Sequence, residues 1–108
     1  MKKFDESYIL LKEMARDGYF PGFLVEKVEN LITPIITMLE GGETDDDVIQ
    51  ARLDEMTMAI NDLQEEFEEN DSELETEARE SIGETVAYIL NWFDIALDVE
   101  DAIRERDW

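Results

Sequence analysis

The sequence predicts an all-α protein, an antiparallel up-and-down bundle of four main helices followed by a short C-terminal one. Three observations carry that expectation. Apolar residues recur at helical spacing along almost the whole chain. Glycine, proline or short polar turns fall between those stretches. No run of alternating apolar and polar residues suggests a strand, and no internal repeat is visible.

The first helix is expected over Asp5 to Arg16, with Tyr8, Leu10, Leu11, Met14 and Ala15 toward the core. Asp5 or Ser7 would cap it, and Gly18 would end it in the left-handed conformation. The aromatic connector Tyr19-Phe20-Pro21-Gly22-Phe23 follows, read as closing one end of the bundle or as an exposed docking patch. From Phe23 to Glu40, Leu24, Val28, Leu31, Ile32, Ile35, Ile36 and Leu39 form a wide buried stripe, ended by Gly41-Gly42. Pro34 lies inside it and predicts a kink near Asn30 to Thr33.

Thr44-Asp45-Asp46-Asp47 offers caps and places carboxylates at the positive end of the third helix. Ile49, Leu53, Met56, Ile60, Leu63 and Phe67 then give a heptad-like seam to about Glu69. Met14, Met38, Met56 and Met58 are spaced like core residues. Asn70-Asp71-Ser72 is the turn, and Ser72 with Glu75 has the pattern of a capping box for a fourth helix. Leu74, Ala78, Ile82, Thr85, Val86, Ile89, Trp92, Phe93 and Leu97 continue the stripe, with Gly83 marking a close helix contact. A short helix from Asp98 to Arg106 carries Val99 and Ile103, and whether residues 93–98 interrupt the helix is left open by the pattern. Trp108 either folds back on the bundle or serves as an interface anchor. Residues 1–108 are expected to form a single helical domain, a size at which a chain buries over ~60% of its unfolded surface.

Composition removes whole classes of chemistry. The 108 residues include no cysteine and no histidine, so thiolate ligands, cysteine nucleophiles and the commonest general base are absent. No phosphate-binding glycine loop is present, and Gly41-Gly42 lacks the lysine that would follow. No cofactor motif is found. No stretch approaches the ~20 apolar residues of a membrane span, and the start, Met1-Lys2-Lys3-Phe4-Asp5-Glu6, lacks the apolar region of a signal peptide. A cytoplasmic location is the expectation.

The formal net charge is −21, and it is unevenly spread. All four lysines lie at or before Lys27, while eleven carboxylates and no cation lie between Arg52 and Arg79. Such a chain lacks the basic footprint for direct nucleic-acid binding and is repelled by anionic lipid. The carboxylates of the expected third-to-fourth helical hairpin have two readings. They give a solvated, solubilising face, or they bind a basic protein partner, with Glu65, Glu66, Glu68, Glu69, Asp71 and Glu73 as contacts. A row of carboxylates comparable to the phosphates of a duplex would suit an immunity protein, antitoxin or DNA mimic. A non-enzymatic interaction protein, monomer or homodimer, is the expected class.

One alternative is a homodimer of unknown function with a merely solvated acidic face; the other, from the enzyme class, is a Mg²⁺-dependent nucleotide pyrophosphohydrolase. Glu77-x-x-Glu80 and Asp98-x-x-Asp101 match paired carboxylates on successive helices that would converge on the metal. With 30 acids among 108 residues, such matches arise readily by chance. A calcium hand does not fit, because neither acidic loop has the central glycine.

Three runs carry a resemblance: Asp17-Gly18-Tyr19-Phe20-Pro21-Gly22-Phe23-Leu24-Val25, Asp62-Leu63-Gln64-Glu65-Glu66-Phe67-Glu68, and Arg106-Asp107-Trp108. Over nearly its whole length the chain resembles a family of small, acidic, all-helical bacterial proteins of unknown function. The resemblance implies a helical domain and carries no activity with it.

Overall fold

Six helices account for the regular structure of the computed structural model, which describes residues 2–108; Met1 lies outside them. They are α1 (Lys12–Arg16), α2 (Gly22–Glu40), α3 (Asp46–Asp62), α4 (Gln64–Glu69), α5 (Thr76–Trp92) and α6 (Val99–Ala102), and no strand occurs among the described residues. The all-α expectation holds. Three helices are long, however, and three are short, so the expected four main helices are not all present as drawn from the periodicity.

The first helix is the largest departure. It covers only Lys12–Arg16, because the preceding backbone is held by side chains rather than by its own helical bonds. Asp5 accepts from the Ser7 amide at 2.9 Å and the Ser7 hydroxyl at 2.6 Å, closing a local turn instead of capping a helix. Leu11 sits in the left-handed region at φ 53° and is fully buried. Its amide donates to Thr85 Oγ1 at 3.0 Å, and the Met14 amide reaches Ser81 Oγ at 3.4 Å. Two hydroxyls one turn apart on α5 thus satisfy amides that a helix start leaves unpaired. Gly18 does not take the left-handed conformation; Asp17 leaves α1 extended, and the Phe20 amide bonds its carbonyl.

The α2 helix starts behind Pro21, whose fixed φ suits the position and whose carbonyl accepts from Leu24 and Val25. Leu24, Val25, Val28, Ile32, Ile35, Ile36 and Leu39 are buried, one face at helical spacing. The helix runs through Pro34 without ending. The Asn30 carbonyl that Pro34 cannot reach lies on an exposed residue, where water can bond it. Gly42, at φ 95°, ends the segment with the left-handed turn expected of the glycine pair.

Asp45 caps α3, accepting from the Asp47 and Val48 amides at 2.9 and 3.4 Å. Ile49, Leu53, Met56, Ile60 and Phe67 are buried as the seam requires. The expected single helix to Glu69 instead tightens at Leu63, whose amide bonds the Ile60 carbonyl, and resumes as α4. Met58 breaks with the expectation of a core position: it is 46% exposed.

The capping box at Ser72 does not form. The Ser72 amide closes α4 by bonding the Phe67 carbonyl at 2.9 Å, Asp71 takes φ 58°, and Leu74 is drawn into the core. The chain therefore crosses to α5 in a non-helical stretch, and α5 begins at Thr76. Residues 93–98 do interrupt the helix. Asp94, at φ 58°, reverses the chain, and the Ile95 amide bonds the Leu90 carbonyl at 2.9 Å.

α2 packs on α3, α1 on α5, and α6 touches both α3 and α5. Arg104 grips Asp54 with two bonds of 3.2 and 2.8 Å, and Gln50 bridges Asp54 to the Asp101 carbonyl, fixing the C-terminal segment on α3. Trp108 folds back and is 8% exposed, with its carbonyl accepting from Arg79 Nε at 3.2 Å. The interface-anchor alternative for this residue is thereby set aside.

Candidate functional site

The acidic residues singled out from the sequence sit on α4 and the turn after it. Phe67 holds that short helix in place: it is fully buried and meets Phe20 edge-on, ring centroids 6.4 Å apart. With Phe67 inward, Glu65, Glu68 and Glu69 project to solvent. Glu66 is half-buried and bonds Lys27 Nζ at 2.5 Å, and that ammonium lies 5.9 Å from the Phe23 ring centroid. Asp62, Glu65, Glu66, Glu69 and Asn70 line one shallow depression. Glu68 and Asp71 lie outside it, and Glu73 faces Glu75 instead. The six residues all fall between Glu65 and Glu73, but they do not all converge on one concavity.

Other carboxylates gather beside them. Between α1 and α5 runs a groove of about 470 Å³ lined by Glu13, Arg16, Asp17, Glu77, Glu80, Ser81 and Glu84. There Asp17 and Glu77 share a hydrogen bond, which holds Asp17 below the ordinary carboxylate range and lifts Glu77 above it. Glu73 is likewise raised by its hydrogen bond with Glu75 and by that neighbour's charge. In Asp54, burial acts to raise the pKa, but the bonds from Arg104 and Gln50 outweigh it and the net shift is downward.

The carboxylates of the Mg²⁺ alternative are not gathered. Glu77 and Glu80 line the α1–α5 groove, whereas Asp98 precedes α6 as its N-cap residue, Asp101 lies within α6, and neither is among the groove's lining residues. No three acidic residues are arranged to hold a metal ion among the described residues. No helix among them is long and apolar enough to cross a membrane.

Two aromatic features complete the surface. Of the connector, Phe20 closes the core as one expectation had it, whereas Tyr19 is 45% exposed and Phe23 50% exposed. At the other end of α5, Phe4, Tyr8, Tyr88, Trp92 and Phe93 form a ring cluster, with Tyr8 and Tyr88 stacked at 3.9 Å. Trp92 Nε1 donates to the Lys3 carbonyl at 2.8 Å, and Tyr88 donates to Asp5 at 2.5 Å. Sequence reasoning missed this cluster. Its one visible sign is the four-residue spacing of Tyr88 and Trp92, which puts both rings on one helix face.

No curated protein and no solved structure is matched by this chain. A family model does match it, from residue 4 to residue 108, described as a family of unknown function (DUF5713). The chain belongs to that family.

Proposed function

We propose that this protein is a cytoplasmic, non-enzymatic interaction protein that binds a basic protein through the acidic surface of α4 and the turn that follows. Glu65, Glu66, Glu68, Glu69, Asp71 and Glu73 are its contact residues, in the manner of an immunity protein, an antitoxin or a DNA mimic. One observation carries this reading: all but one of the carboxylates there lack a cation of their own. Among the described residues only Glu66 of the six has a lysine or arginine within 4 Å, namely Lys27. Such unrelieved repulsion costs stability, and a cationic partner removes it while steering association from a distance. Exposed carboxylates on an already formed helix also need little reordering on binding.

The test is retention of a partner from lysate at low and high salt, repeated with a chain carrying Glu65→Lys, Glu66→Lys, Glu68→Lys and Glu69→Lys. One basic protein held near stoichiometrically, released by salt and lost with the reversed charges is the expected result. A partner held with unchanged affinity by the reversed surface would remove α4 as the interface.

A further inference from the structure

The recess beside Tyr19 differs from the rest of the acidic surface because it has an aromatic wall. Asp17, Tyr19, Phe20, Glu75, Thr76 and Glu77 line an open recess of about 450 Å³ where the connector before α2 meets the start of α5. Phe20 is buried and fixed against Phe67, and Tyr19 meets it edge-on with centroids 5.1 Å apart. Tyr19 is thus packed on one edge against a fixed neighbour, while the residue as a whole is 45% exposed. The face of such a partly exposed ring attracts a cation that approaches it.

Charge defines what it would receive. Asp17, Glu75 and Glu77 have no lysine or arginine within 4 Å among the described residues, and no cation lies over Tyr19. Carboxyls neighbour one another instead, so that Glu77 is raised by Asp17 and Glu73 by Glu75. The chain itself fills a comparable arrangement nearby in sequence, where Lys27 lies over Phe23 and bonds Glu66. At Tyr19 the ring and carboxylates are present and the cation is not.

We propose that this recess takes an arginine side chain of the basic partner, its guanidinium stacked on Tyr19 and bonded to Asp17, Glu75 and Glu77. The inference rests on the partner-binding reading above and gives it an anchor outside α4. Arginine suits the recess better than lysine, since a planar guanidinium stacks on a ring and forks to carboxylates at once. Tyrosine and arginine are also the residue types that dominate interface energetics.

The experiment is an NMR titration of the whole protein at low salt with acetyl-Gly-Arg-Gly-amide, and with the neutral citrulline peptide of the same shape. Saturable shifts of the Tyr19 ring with the arginine peptide alone are expected. Tyr19→Ala should weaken binding at least fivefold, Tyr19→Phe should retain it, and a Glu75→Gln, Glu77→Gln double variant should weaken it without touching the ring. Equal affinity in Tyr19→Ala or in the carboxamide variant would overturn the assignment. Saturable shifts confined to Glu65–Glu69 would overturn it while leaving the α4 interface standing. No saturable shift at any site would overturn it, and the charge-reversal experiment then judges the α4 reading separately.

Discussion

Replacing Thr85 with valine keeps the shape of the side chain and deletes the hydroxyl on which the start of α1 depends. Thr85 and Leu11 are both buried, and the Leu11 amide has its bond to Thr85 Oγ1 at 3.0 Å. In Thr85→Val that amide stays buried with no acceptor, a loss of about 1–3 kcal/mol. The left-handed Leu11 gives it little freedom to find another. The Tyr8 hydroxyl, 3.5 Å from the same oxygen, is only half-buried and can turn to water, so it adds little. A net loss of about 2 kcal/mol is expected against a total of ~5–15 kcal/mol, roughly a thirtyfold rise in the unfolded fraction. Urea denaturation read by far-UV circular dichroism measures it, with the slope unchanged and the midpoint lowered. Thr85→Ser is the control. It keeps the acceptor and loses one methyl, ~0.8 kcal/mol, and protection of the Leu11 amide from hydrogen exchange should survive in it but not in Thr85→Val. A valine variant within 0.5 kcal/mol of the parent would show that the hydroxyl does not hold the N-terminal segment, a threshold set by ordinary surface substitutions.

Two further outcomes follow from the same packing. Gly83→Ala should stabilise the protein by ~0.5–1 kcal/mol, because the new Cβ would lie 4.0 Å from Val99 Cγ2, an ordinary contact, inside helix α5; a lower melting temperature would refute this. Stability should rise as pH falls from about 7 toward the glutamate range, because Glu29, Glu73 and Glu77 have raised folded pKa values and bind protons more readily folded than unfolded. At lower pH the sign reverses, since Asp5, Asp17 and Asp54 are held below their ordinary range and their contribution disappears as they protonate. Denaturation midpoints across pH at fixed ionic strength test both limbs, and a midpoint highest above pH 7 would contradict the assignment.

How far each element could be read depended on whether its bonds are local. The α2 stripe apart from the half-buried Leu31, the Asp45 cap with the seam from Ile49 to Ile60, and the glycine stop at Gly42 are settled within a few residues and appear where the pattern put them. Tyr8, Leu11 and Met14 have the same periodicity, yet most of that segment is not helical, because its amides bond hydroxyls on α5 some seventy residues away. Ser72 fails as a cap for a related reason: its amide is used to end α4, and Leu74 is pulled inward. The acidic surface was legible as composition. Its division into the face on α4, the α1–α5 groove and the Tyr19 recess was not, since Asp17 meets Glu77 only when α1 packs on α5.

The sequence by itself determined the helical class, the buried faces of the long helices, the exclusion of thiol and imidazole chemistry and the excess of negative charge. These depend on residue type and on spacing along one helix, which periodicity and side-chain chemistry dictate directly. Only the tertiary structure decided where helices begin at the N-terminus, that Trp108 is buried, that Tyr19 stands open beside uncompensated carboxylates, and which few carboxylates acquire cations. Each of those depends on groups far apart in the chain meeting in space. A polar or aromatic side chain takes its role from whatever packing brings within hydrogen-bond or van der Waals distance.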